Sequence, residues 1–113
     1  MTITDNYDII VNQWDYGVPV IFEVVPDEGV SLIGDVLVLA FENHIEDREK
    51  PVTEDDNTIS FALKDSEAES IYDGKIVNPY KIPYSLKRYK EGQYLDTLLN
   101  ANVIVTRTVK WQE

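Results

Sequence analysis

Apolar and polar positions alternate along most of this chain with a period of two. Tyr7, Ile9 and Val11 alternate with Asp8, Ile10 and Asn12, the signature of a half-buried strand. Gly17 punctuates the chain, and in residues 18–25 Val18, Val20, Phe22 and Val24 share one face. Pro19 has no N–H to give a ladder, so that strand starts at an edge or pairs late. Pro26-Asp27-Glu28-Gly29 is a turn, and Gly34 opens residues 35–42, apolar on both faces and so a central strand. Residues 43–57 are the most polar stretch, an exposed excursion with a short edge piece near Val52. In residues 58–63, Ile59, Phe61 and Leu63 again share a face.

The pattern then changes period. Ser66-Glu67-Ala68-Glu69 predicts a capping box opening one short helix near 65–73, with Asp65 or Ser66 as cap. Ala68 and Ile71 or Tyr72 pack inward, and Gly74 suits the position after the last turn. About two turns cannot stand alone, so this helix leans on the sheet. Tyr80, Ile82, Tyr84 and Leu86 alternate with Lys81, Pro83, Ser85 and Lys87, a strand that Pro83 assigns to an edge or a bulge. Lys90-Glu91-Gly92-Gln93 reads as a hairpin turn, and residues 96–99 lead into a last strand over 103–109. The sum is an all-β chain of about seven strands with one short helix, a sandwich or a barrel. There is no βαβ rhythm and no internal repeat, so residues 1–113 are expected to form a single domain.

Composition narrows the function classes. The chain holds no cysteine, which excludes disulfides and thiolate-ligated metals. The longest apolar run, residues 36–41, is strand-sized, and the N-terminus carries no basic and apolar segments of a signal peptide. The net charge is −11, unevenly spread. Residues 1–73 carry 18 acids against 3 bases, a balance of −15, whereas residues 74–113 carry 3 acids against 7 bases, +4. Nucleic acid is disfavoured as a partner, and acidic and basic faces of neighbouring copies can meet head to tail.

The residues offer little for catalysis. His44 is the single histidine, beside Glu42, Glu46 and Asp47, and no second histidine supports a zinc site. No serine sits in a G-x-S-x-G context, and a serine–histidine dyad would have to recruit His44 from its loop. Adjacent acids such as Glu54-Asp55-Asp56 lack the spacing of a calcium loop and read as solvated charge. Every glycine is isolated at a turn, so no phosphate cradle exists. The expectation is no enzyme, no metal and no cofactor. Aromatics are the enriched class, with Tyr80, Tyr84, Tyr89 and Tyr94 around the penultimate hairpin. Core filling accounts for most of them; Trp14, Tyr80, Tyr84, Tyr89 and Trp111 are the candidates for a binding interface.

The motifs follow a set order: Asp15-Tyr16-Gly17 before Val20-Ile21-Phe22-Glu23-Val24, then Ile59-Ser60-Phe61-Ala62-Leu63 before the Ser66–Glu69 helix start. Tyr84, Gly92, Thr97-Leu98-Leu99 and Val103-Ile104-Val105 close the series. This order resembles the N-terminal domain of baseplate upper and tail proteins of phages of Gram-positive bacteria. The resemblance implies an immunoglobulin-like antiparallel β-sandwich without catalysis. It implies a tail or baseplate structural or adaptor protein, assembled in the host cytoplasm into the virion. The expected partners are other tail or baseplate proteins and further copies of itself, with no nucleic acid and no membrane. Two alternatives come from other classes: a small acidic inhibitor imitating nucleic acid, motivated by the charge, and a carbohydrate-binding sandwich, motivated by Tyr80, Tyr84, Tyr89 and Trp111.

Overall fold

A computed structural model describes residues 1–12, 18–73 and 79–106. Among these residues eight strands and one helix follow in chain order: β1 Thr2–Ile3, β2 Ile9–Asn12, β3 Val20–Glu23, β4 Asp35–Phe41, β5 Arg48–Pro51, β6 Thr58–Phe61, α1 Asp65–Tyr72, β7 Tyr80–Lys90 and β8 Gln93–Thr106. Six strands form one sheet in the order β1-β2-β8-β7-β4-β5, and β3 pairs with β6 in a second. The chain crosses between the sheets after β2, after β3, after β5 and again through α1, so two layers enclose one core. This is the all-β, sandwich-like fold that the alternation predicts.

Each layer offers one apolar face. Val20 and Phe22 of β3 and Ile59 and Phe61 of β6 meet Leu37, Leu39 and Phe41 of β4, Ile82, Tyr84 and Leu86 of β7, and Val103 and Val105 of β8. The rings interlock: Phe41 lies 4.9 Å from Phe61 and 5.8 Å from Tyr84 between centroids. Ala68 and Ile71 bring α1 onto the same core, the support that a two-turn helix requires.

Several expectations change in detail. The sheet is not wholly antiparallel, because β2 runs parallel to β8, Ile9 opposite Val103 and Val11 opposite Val105. The two are remote in sequence and joined through the other layer, so no hairpin forces them antiparallel. Pro83 lies in β7, a central strand, rather than at an edge or bulge. Its carbonyl accepts from the Glu42 N–H just past the end of β4, so the missing proline donor faces a place where the neighbouring strand stops. Pro19 does what was expected, with pairing starting at Val20. The polar excursion contains the edge strand β5, four residues ending at Pro51, beside Val52. The last two strands are longer than the alternation shows and join at Lys90 and Gln93. Glu91 and Gly92 between them both have positive φ (52° and 78°), which is the signature of a type I′ turn.

Candidate functional site

The β7–β8 hairpin sets the surface chemistry. Along β8 the register against β7 slips twice. Leu86 faces Leu99 but Lys87 faces Thr97, and Arg88 faces Asp96 but Tyr89 faces Tyr94. Leu98 and Leu95 are therefore the extra residues of two β-bulges, which re-aim side chains and twist the strand. Arg88 fixes this geometry. Its Nε and a terminal amino group donate to the two oxygens of Asp96 at 3.1 Å each, and the buried Asp35 carboxylate lies 3.6 Å away.

Both bulged leucines face solvent, Leu95 at 44% and Leu98 at 40% exposure. They lie on an open margin. Strand β2 pairs with β8 only from Val103 onward, so among the described residues 93–101 have a ladder partner on one side alone. Leu98 also lines a mostly apolar cleft of about 350 Å³ with Tyr7, Phe22, Glu23, Val24, Val25, Leu86 and Leu99. Val25 is 79% exposed there, and Tyr7 sits at positive φ (64°) while its carbonyl accepts the Tyr84 hydroxyl. An unpaired strand margin beside exposed Leu, Val and Tyr is the arrangement by which sheets accept another chain.

The outer face of the six-stranded sheet carries a second groove, with apolar side chains at its floor and charged ones at its sides. Strand β4 turns Val36, Val38 and Ala40 away from the core. With Asp47, Glu49, Tyr89 and Gly92, Val36 and Val38 line a groove of about 330 Å³. Tyr94 closes edge-on against Tyr89, ring centroids 5.9 Å apart.

The predicted interface tyrosines do not form one platform. Tyr84 is 2% exposed and belongs to the core, where burial first and the Asp8 carboxylate second push its hydroxyl well above the usual tyrosine range. It is removed from the interface candidates. Tyr80 packs against the same core and edge-on to the His44 ring, whereas Tyr89 faces outward. Five positions separate Tyr84 from Tyr89, an odd number, so one strand places them on opposite faces. A sugar-stacking face built from all three is therefore not formed. Trp14 and Trp111 lie outside the described residues.

His44 takes positive φ (64°), and its Nδ1 lies 2.8 Å from the Ser70 hydroxyl of α1. The spacing in sequence gave no sign of this meeting. It ties the 43–47 loop to the helix. Ser70 stands in the second turn of α1, where backbone N–H groups are spent on helical bonds. Among the described residues no three acidic or histidine side chains group as a metal site, and no helix is long and apolar enough to cross a membrane. Of the acids weighed for calcium, Asp56 instead accepts from Lys50, from the Thr58 hydroxyl and from the Thr58 amide. Those contacts, Lys50 first, hold its carboxyl far below the usual aspartate range.

The ionic cluster that sequence reading missed is Arg48–Glu67. Arg48 donates to both Glu67 oxygens at 2.6 and 3.0 Å, and to the Ala62 carbonyl at 3.0 Å. The Glu67 carboxylate also accepts the Lys64 amide at 3.0 Å and the Glu46 amide at 2.8 Å. It is thus Glu67, not Glu69, that reaches back over the start of the helix, and the cap position falls on Lys64. The cluster joins β5, the 43–47 loop and α1, and all its hydrogen bonds are spent inside the fold. Compared with family models, curated proteins and solved structures, the chain matches none of them.

Proposed function

We propose that this chain is a non-enzymatic structural or adaptor domain of a phage or prophage tail or baseplate, working through protein–protein assembly in the virion. The observation that carries the assembly part is the open β8 margin, with two bulged leucines beside a mostly apolar cleft. Bulges and charges usually blunt a free strand edge. Here the bulges present leucine, and the one charge in residues 93–101, Asp96, is neutralised by Arg88. A partner segment that adds to this margin gains main-chain hydrogen bonds and covers Leu95, Leu98 and Val25. The setting, a tail or baseplate with its other proteins as partners, is supported by the order of motifs alone.

Size-exclusion chromatography with light scattering, run with and without purified tail or baseplate proteins, tests the proposal. The chain is expected to co-elute with one of them, and Leu98→Lys to abolish the co-elution without changing the melting curve. A chain that stays strictly monomeric and binds no tail component contradicts it.

A further inference from the structure

We infer that two copies of this chain pack face to face through the outer surface of the six-stranded sheet, about a two-fold axis running along β4. The inference rests on the reading of the chain as an assembly module and names a second copy as the occupant of this face. Central strand β4 is apolar on both sides, yet among the described residues only its Leu37–Leu39–Phe41 side belongs to the core cluster. Val38 is covered to 7% exposure by its own neighbours but lies outside that cluster, at the floor of the groove.

The register across the sheet specifies the occupant. Val38 is paired on one side with Glu49 and on the other with Lys87, so Glu49–Val38–Lys87 form one row on the outer face. The next row is Pro51–Val36–Tyr89. A two-fold axis along β4 exchanges left and right within each row without moving it along the strand. It therefore places Val38 on Val38, each Glu49 on the other copy's Lys87, and each Tyr89 ring on the other copy's Pro51. The face complements itself in charge, as an isologous interface must. Two aligned sheets in contact pack roughly 10 Å apart, the span such side chains fill.

Within one copy Val38 stands between the two residues. Two strand spacings separate them by about 10 Å. Neither enters an ion pair among the described residues, where the pairs are Arg48–Glu67, Lys50–Asp56, Lys64–Glu46 and Arg88 with Asp35 and Asp96. Repulsion between two chains of net charge −11 opposes association at long range. At physiological salt it is screened beyond about 8 Å, while the row contacts act at closer range.

Charge reversal tests the geometry. Sedimentation equilibrium at physiological ionic strength is run on the wild-type chain, Glu49→Lys, Lys87→Glu and the double variant, with circular dichroism melts to show that each is folded. The wild type is expected to dimerise. Each single reversal creates two like-charge contacts and weakens the dimer by at least about tenfold, and the double reversal restores it. A wild type that stays monomeric throughout overturns the inference, as do single reversals without effect or a double variant that stays weak. Those outcomes leave the tail reading to its own test, since the Leu98 margin lies on β8 and not in these rows.

Discussion

The Arg48–Glu67 pair shows how much one buried contact decides. Glu67 is almost fully buried, and burial alone would raise its pKa. The Arg48 hydrogen bonds and the Lys64 and Glu46 amides outweigh that and hold it below the usual glutamate value of 4.5. Removing the partner leaves a carboxylate stranded in the fold. Arg48→Met is expected to cost about 3–5 kcal/mol in urea unfolding, far more than loss of an exposed ion pair. The pH dependence follows from the direction of the shift. A carboxyl whose folded pKa is depressed contributes its full stabilisation above its unfolded value, and that contribution fades as pH falls below about 4.5 through the folded pKa. Urea midpoints measured from pH 7 down to pH 3 should fall more steeply for the wild type than for Glu67→Gln; equal slopes would refute the assignment. The sequence around 65–69 announced a helix start but not which glutamate closes it. Both Glu67 and Glu69 fit the local pattern, and the choice is made by Arg48, nineteen positions away.

The β7–β8 hairpin is the element on which the surface depends, and it was partly legible. Lys90-Glu91-Gly92-Gln93 was readable as a turn because glycine tolerates positive φ. The αL geometry at Glu91 costs a residue with a Cβ roughly 1 kcal/mol. Glu91→Asn, the residue that type I′ turns prefer, should therefore raise stability by a few tenths to about 1 kcal/mol, seen as a higher melting temperature. The two bulges were not legible, because Leu95 and Leu98 break the alternation only relative to β7, and register is a property of two strands together. The parallel β2–β8 pairing was hidden for the same reason. The odd spacing of Tyr84 and Tyr89 could have been read as opposite faces, and the buried position of Tyr84 follows from it. Tyr84→Phe removes only the hydroxyl bonded to the Tyr7 carbonyl, so a loss of about 1 kcal/mol is expected from urea unfolding.

At the scale of the whole molecule, the sandwich-like fold followed from alternation and turn residues, whereas the candidate surfaces did not. They exist because the two layers are unequal, six strands against two, which leaves β4's outer valines and the β8 margin without an inner partner among the described residues. No composition or spacing reports that inequality. The acidic balance of the first 73 residues is partly consumed within the fold, as Asp35, Glu46, Asp56 and Glu67 pair with bases. That dispersal does not resemble a row of phosphates. Docking through the β8 margin is what the proposed assembly role requires. The most direct measurement places a photo-crosslinking amino acid at Leu98, and as a control at Ile21 on the outer side of β3, in chains expressed during tail assembly. Crosslinks are expected from position 98 to a tail or baseplate protein and none from position 21. Assembled particles that contain the chain but give no crosslink from position 98, or that lack the chain altogether, would contradict the proposed docking.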